Sequence, residues 1–133
     1  MLFIHLFWTC SVAQSQTVTR DRNLVKATKI SYETFKTNGI NGLIYGTVEC
    51  YQDSNNPRFY CVYFDLASRR IDQLLATAKS SEVTDFFADE QFGGRVGPIL
   101  LDANMTMQQA NEFMTEMTPI INEQIQKHLM LEE

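Results

Sequence analysis

Two cysteines, Cys50 and Cys61, constrain the fold of this chain more than any other pair of residues. They stand at equal distances from the centre of an Asn55-Asn56 turn, which lies inside the polar stretch 52–57. Two segments that run antiparallel on either side of such a turn bring the cysteines together, whether the segments are helices or strands. The sequence therefore predicts a Cys50–Cys61 disulfide that closes a short loop and stabilises the fold by roughly 2–3 kcal/mol.

The segments on either side of this turn allow two interpretations. Residues 43–51 and 59–64 are rich in β-branched and aromatic side chains, which favours a central β-hairpin. Apolar residues at helical spacing instead continue from Tyr60 to Ala78, and this stripe passes Asp65 without interruption. The periodicity favours helices. We therefore predict a mostly α, single-domain bundle of about five helices with one disulfide, and the alternative is an α+β fold with the central hairpin.

Glycine and proline mark the expected limits of the helices. A helix over residues 19–37 should end at Gly39, and a second helix should follow over residues 41–54. Pro57 should open the third helix. A short fourth helix is expected to stop at Gly93-Gly94, which makes residues 93–98 a flexible loop with Arg95 exposed.

The last segment is the clearest amphipathic helix, and a kink is expected at Pro119. Its apolar face is rich in methionine, whose unbranched side chain packs against irregular surfaces. Such a face is typical of a protein core, and it is also what a self-associating protein would expose. The face consists of Met107, Ala110, Met114, Met117, Ile121, Ile125 and Leu129.

The first sixteen residues carry no charged side chain, run apolar from Leu2 to Trp8 and reach small residues at Ser11 to Ala13. This pattern predicts a signal peptide or its remnant over residues 1–13 and one domain over residues 14–133. Removal of residues 1–13 would leave an even number of cysteines, as expected for a protein that folds in an oxidising compartment. The predicted location is the periplasm or the exterior, without stable insertion into a membrane.

The net charge of −5 is unevenly distributed along the chain. Residues 14–36 contain five basic and two acidic side chains, whereas residues 80–133 contain ten acidic and two basic ones. An acidic half of this kind repels nucleic acid and anionic lipid and attracts basic protein surfaces. We therefore expect a protein partner and no nucleic acid.

Patterns for catalysis and metal binding are weak. Without residues 1–13 the chain has one histidine, His128, and two cysteines at disulfide spacing, which are too few donors for a zinc site. The glycine-rich stretch 93–98 lacks the Gly-Lys-Ser/Thr of a phosphate-binding loop. Neighbouring carboxylates in the second half of the chain are typical of solvated helix faces. We therefore expect no enzymatic activity, no metal and no other cofactor.

Four short segments of the chain are similar to segments of a known group of exported proteins. They are Glu49-Cys50-Tyr51, Tyr60-Cys61, Asp65-Leu66-Ala67 and Ile71-Asp72, all within residues 24–78. In these segments the chain resembles the periplasmic immunity proteins that neutralise peptidoglycan amidases delivered by type VI secretion. The resemblance implies a mostly helical inhibitor that blocks the active site of a cell-wall-directed enzyme and has no catalysis of its own.

An inhibitor of this kind would use exposed charge to reach a basic peptidoglycan hydrolase. The candidate partner-binding residues are Asp85, Asp89, Glu90 and Arg95. The alternative is a structural or accessory protein of the cell envelope that forms a homodimer through its C-terminal helix. In that case the apolar face between Met107 and Leu129 would be partly exposed.

Overall fold

The computed structural model describes the backbone of residues 2–131 and the side chains of residues 19–130. This part of the chain contains four α-helices and one 3₁₀ turn, and no strand. The predicted mostly α fold is therefore confirmed, and the alternative β-hairpin does not form. The predicted signal peptide, residues 1–13, lies outside the residues whose side chains are described. The elements are α1 (Leu2–Gln52), α2 (Arg58–Ala78), the 3₁₀ turn Asp85–Phe87, α3 (Asp89–Asp102) and α4 (Met107–Leu131).

Helix α1 is bent at Gly39 into a first arm, residues 2–38, and a second arm, residues 40–52. Gly39 has a φ of 69° and a ψ of −160°, a conformation that residues with a Cβ rarely adopt. A Cβ at Gly42 would lie 3.3 Å from Cγ2 of Thr34. In a straight helix, two residues eight positions apart would be separated by about 12 Å along the axis. The two arms are therefore folded back on each other, at the place where the sequence predicted a break between two helices.

Replacing Gly39 with alanine should lower the free energy of unfolding by about 1–2 kcal/mol, because a Cβ disfavours this left-handed backbone conformation. Gly93→Ala is the matched control, since beyond its chain neighbours and its own helix backbone no described residue lies within 4 Å of the place its Cβ would take. That variant should gain about 0.5–1 kcal/mol from the higher helix propensity of alanine. Urea denaturation measures both changes, and a Gly39→Ala variant as stable as the parent would contradict the bend.

The predicted disulfide joins the second arm of α1 to α2. Cys50 and Cys61 are bonded, with their Cα atoms 5.6 Å apart. In the intervening turn, Nδ2 of Asn56 donates to the backbone carbonyl of Cys50 at 3.3 Å. Further from the turn, Gly46 faces the ring of Phe64. The second arm and α2 therefore run antiparallel, as the spacing of the cysteines predicted.

Helix α2 lies in the centre of the bundle. Eight consecutive residues, 61–68, are buried, so this part of the helix is covered on every side. Helices α1, α3 and α4 all pack against it. The core combines apolar side chains from all four helices and from the 3₁₀ turn, among them Leu24, Leu43, Val62, Phe87, Val96, Met117 and Ile121.

Helix α3 occupies the region that the sequence assigned to a loop over residues 93–98, and that prediction is wrong. The helix continues through Gly93-Gly94 and Pro98. Burial of its apolar side against the core outweighs the low helix propensity of glycine and proline. The predicted short fourth helix is reduced to the 3₁₀ turn. The buried residues of α3 are Phe92, Val96, Ile99 and Leu100.

Helix α4 begins with a reciprocal pair of hydrogen bonds. The backbone N–H of Gln109 donates to Oγ1 of Thr106 at 3.1 Å, and the backbone N–H of Thr106 donates to Oε1 of Gln109 at 2.9 Å. This arrangement is a capping box, which satisfies two N–H groups at the start of a helix. It fixes the start of α4, and the helix then includes Pro119 along its length.

Candidate functional site

The carboxylate of Asp65 is a charged group in the middle of the core, with 0% exposure. Arg95 of α3 donates to it twice, from Nε to Oδ2 at 2.8 Å and from Nη2 to Oδ1 at 3.0 Å. The hydroxyl of Tyr51, near the end of α1, donates to Oδ2 at 3.0 Å. We refer to Tyr51, Asp65 and Arg95 as the Asp65 network. It connects α1, α2 and α3 close to the disulfide.

Burial is the main influence on the acidity of this network. It raises the pKa of Asp65 above its ordinary value, while the hydrogen bonds and charge of Arg95 and the bond from Tyr51 act in the opposite direction. Burial and the neighbouring Asp65 also raise the pKa of Tyr51, so its hydroxyl stays protonated and remains a donor. The bidentate guanidinium therefore compensates in part for what burial costs the carboxylate, and the effect of burial remains the larger one.

Arg95 points into the protein rather than out of an exposed loop. Its side chain is 18% exposed, its Nη1 donates to the carbonyl of Phe86 at 2.8 Å, and its guanidinium lies 3.8 Å from the centre of the Phe86 ring. The prediction of an exposed Arg95 is wrong, because α3 directs the residue towards Asp65. The sequence did contain a signal for this pair: Asp65 lies within the mostly apolar run 61–68, and a carboxylate buried in a core requires a cation beside it.

The three acidic candidates lie close together around the start of α3. Asp85 begins the 3₁₀ turn, and Asp89 and Glu90 stand in the first turn of α3, where the helix dipole favours negative charge. All three are exposed, and Asp89, at 94% exposure, pairs with Arg69 of α2. We refer to Asp85, Asp89 and Glu90 as the acidic cluster. Arg95 is not part of this cluster, because its guanidinium binds Asp65 and the carbonyl of Phe86. The role of all four residues in partner binding stays a prediction.

The segment that carries the acidic cluster is fixed to the core. Thr84 donates to the buried carboxylate of Asp72 twice, from its backbone N–H at 2.9 Å and from Oγ1 at 2.6 Å. Phe87 is buried, and Phe86 packs against Arg95. Sequence patterns did not reveal Asp72 as this anchor. A segment that is held in place in this way loses less conformational entropy in any contact it makes than a mobile loop would.

The methionine-rich face of α4 is divided between core and surface. Met117, Ile121 and Ile125 are buried, which agrees with the interpretation of the face as core. Met107 at one end is 71% exposed, and Leu129 at the other end is also exposed. Among the described residues of this face, the middle therefore packs within the chain and the two ends are exposed.

A cavity of about 600 Å³ opens beside the disulfide. The second arm of α1, the following turn, the start of α2 and one side of α3 form its wall. Val48 and Ile99 contribute apolar surface, and Arg58 and Arg95 bring two guanidinium groups to it. No sequence pattern predicted the cavity, since its wall is assembled from parts of the chain that are distant in sequence.

Among the residues that the structure describes, no three His, Cys, Asp or Glu side chains are placed to hold a metal ion. No helix in the described part of the chain is long and apolar enough to cross a bilayer. Comparison with protein family models, curated proteins and solved structures found no match to this chain.

Proposed function

We propose that this chain is an exported, non-enzymatic protein-binding factor, an immunity or inhibitor protein that neutralises a cell-wall-directed enzyme by covering its active site. The observation that carries the proposal is the acidic cluster, three carboxylates exposed at fixed positions on a helical scaffold. A surface of this kind complements a basic region on a partner protein.

Two independent features support a location outside the cytoplasm. Disulfides such as Cys50–Cys61 persist in oxidising compartments. The uncharged, largely apolar residues 1–16 have the character of an export signal. A protein in the periplasm or outside the cell is in the compartment where it would meet an enzyme that acts on the cell wall. The proposed location and the proposed class of partner therefore agree.

Charge and apolar contact would have different roles in the complex. Of the ten acidic residues among residues 80–133, the seven outside the acidic cluster extend its negative field. Such a field raises the association rate of a basic partner at low salt. Affinity would come from an apolar anchor at the centre of the contact. Val83 is an exposed apolar side chain two residues before Asp85, so it is the anchor that we propose.

The disulfide-bonded chain, used as bait in a periplasmic extract, should retain an enzyme that degrades purified cell wall and should inhibit it at stoichiometric amounts. Turbidity loss of a cell-wall suspension measures the inhibition. A triple variant with Asp85→Asn, Asp89→Asn and Glu90→Gln should associate with this enzyme about tenfold more slowly at low salt, because the steering charge is removed. Surface plasmon resonance measures the association rate.

The matched control changes Glu112, Glu116 and Glu123 of α4 to glutamine, which removes three exposed acids and leaves the acidic cluster intact. This control should keep most of the association rate and all of the inhibition. The proposal is contradicted if no cell-wall-degrading enzyme is retained at low salt. It is also contradicted if both triple variants slow association equally.

A further inference from the structure

The cavity beside the disulfide has the size of a small-molecule site. Its volume of about 600 Å³ lies within the range that ligand-binding clefts in proteins occupy. No residue of the acidic cluster lines it. The cavity is therefore separate from the surface that we propose for the protein partner.

Two arginines determine the polar character of the cavity wall. A guanidinium carries five N–H groups, and the bonds of Arg95 to Asp65 and to the carbonyl of Phe86 account for three of them. Two N–H groups of Arg95 thus have no partner among the described residues, on a side chain that lines the cavity. Arg58 is 65% exposed, and its partner Asp102 is also exposed and 3.4 Å away. Both guanidinium charges are thus paired with a carboxylate, but each group keeps N–H donors that its partner does not use.

The rest of the lining favours an anion that carries a compact apolar part. Val48, Ile99 and the disulfide provide apolar surface. The one carboxylate of the lining belongs to Asp53, and its Oδ1 already accepts the backbone N–H of Asn55 at 3.0 Å. Asp65 and Asp102 already balance the two guanidinium charges. The remaining guanidinium N–H groups can only donate, so a carboxylate ligand is favoured over an ammonium ligand.

We propose that this cavity binds small organic acids. The carboxylate pairs with Arg58 and accepts a hydrogen bond from Arg95, and the apolar body packs against Val48 and Ile99. The planar fork of a guanidinium matches the geometry of a carboxylate. Arg95 would use N–H groups that the Asp65 network leaves free, so binding does not disturb the core. This site stands whether or not the chain inhibits an enzyme.

Benzoate is a suitable probe, because it joins one carboxylate to one rigid apolar ring. Added to the isotope-labelled, disulfide-bonded chain, benzoate should shift the amide resonances of Val48, Tyr51 and Ile99 in a saturable way. The expected dissociation constant is on the order of 1 mM, as is usual for a ligand of this size. Benzamide has the same shape without the charge and should bind about tenfold more weakly. Equal binding of the two probes would overturn the proposal.

Three variants locate the binding. Arg58→Gln removes an exposed cation of the cavity and should weaken benzoate binding about tenfold, while Arg22→Gln removes an exposed arginine of the first arm of α1 and should leave it unchanged. Val48→Phe narrows the cavity and should abolish the saturable shifts. The proposal is overturned if the parent chain shows no saturable shift, if the shifts lie elsewhere, or if both arginine variants lose binding equally.

Discussion

Replacing Arg95 with methionine should lower the free energy of unfolding by about 3–5 kcal/mol near neutral pH, because the carboxylate of Asp65 would be left buried without its cation. Asp65 is 0% exposed, and Arg95 provides two of its three hydrogen bonds. Methionine fills a similar volume, so the loss reports the missing charge more than a cavity. Urea denaturation of the parent and of the variant measures the difference.

The loss caused by Arg95→Met should depend on pH. The pKa of Asp65 is raised in the folded chain above the value of 3.8 expected when it is exposed, so the folded state holds the proton to higher pH than the unfolded state does. The free energy of unfolding therefore falls as the pH rises through this window. Removing Arg95 raises the folded-state pKa further. The deficit of the variant should be largest near pH 7 and should shrink as the pH falls through the raised pKa of Asp65, because the carboxyl group then becomes neutral.

Two control variants separate the buried charge from other effects. Adding Asp65→Asn to Arg95→Met removes the unpaired charge and should recover most of the lost stability near neutral pH. Arg58→Met removes a cation whose ion pair is exposed on both sides and should cost less than about 1 kcal/mol. If Arg95→Met and Arg58→Met had similar effects, the structural role of the Asp65 network would be disproved.

Loss of the disulfide should have the second largest effect. A Cys50→Ala, Cys61→Ala variant should lose about 3 kcal/mol, because the bond closes a loop with a sequence separation of 11 and so restricts the unfolded chain. For a chain of 133 residues this corresponds to a fall in Tm of roughly 10 °C. Differential scanning calorimetry measures the change.

Dithiothreitol provides the control for this experiment. It should lower the Tm of the parent chain by about as much as the double substitution does, and it should leave the Tm of the double variant unchanged. A parent chain whose Tm does not respond to dithiothreitol after the thiols are shown to be free would mean that the bond contributes nothing to stability.

The parts of the fold that follow a local pattern could be predicted from the sequence. Apolar residues at helical spacing indicated α2 and α4, and the position of Gly39 indicated where the first helix would break. Helix α3 could not be predicted in this way, because the local propensities of Gly93-Gly94 and Pro98 oppose it. The burial that stabilises α3 comes from contacts with distant parts of the chain, which local patterns do not contain.

The candidate site, too, has parts that could be predicted from the sequence and parts that could not. The acidic cluster consists of neighbours in sequence, so its exposure and its negative charge could be predicted from composition alone. Asp65 and Arg95 are thirty residues apart, and no local pattern pairs them. The cavity, whose wall combines three helices and a turn, is likewise a product of the assembled fold.

Residues 61–68 of α2 are completely enclosed, so the residues that stabilise the fold are separate from those on the surface. The residues that hold the fold together form its axis, and the residues a partner could recognise lie on the other elements. Substitutions at exposed positions such as Glu90 can therefore change the surface of the protein without altering the packing around α2. If the chain binds an enzyme as we propose, its surface can change with that enzyme by substitution while its architecture stays the same.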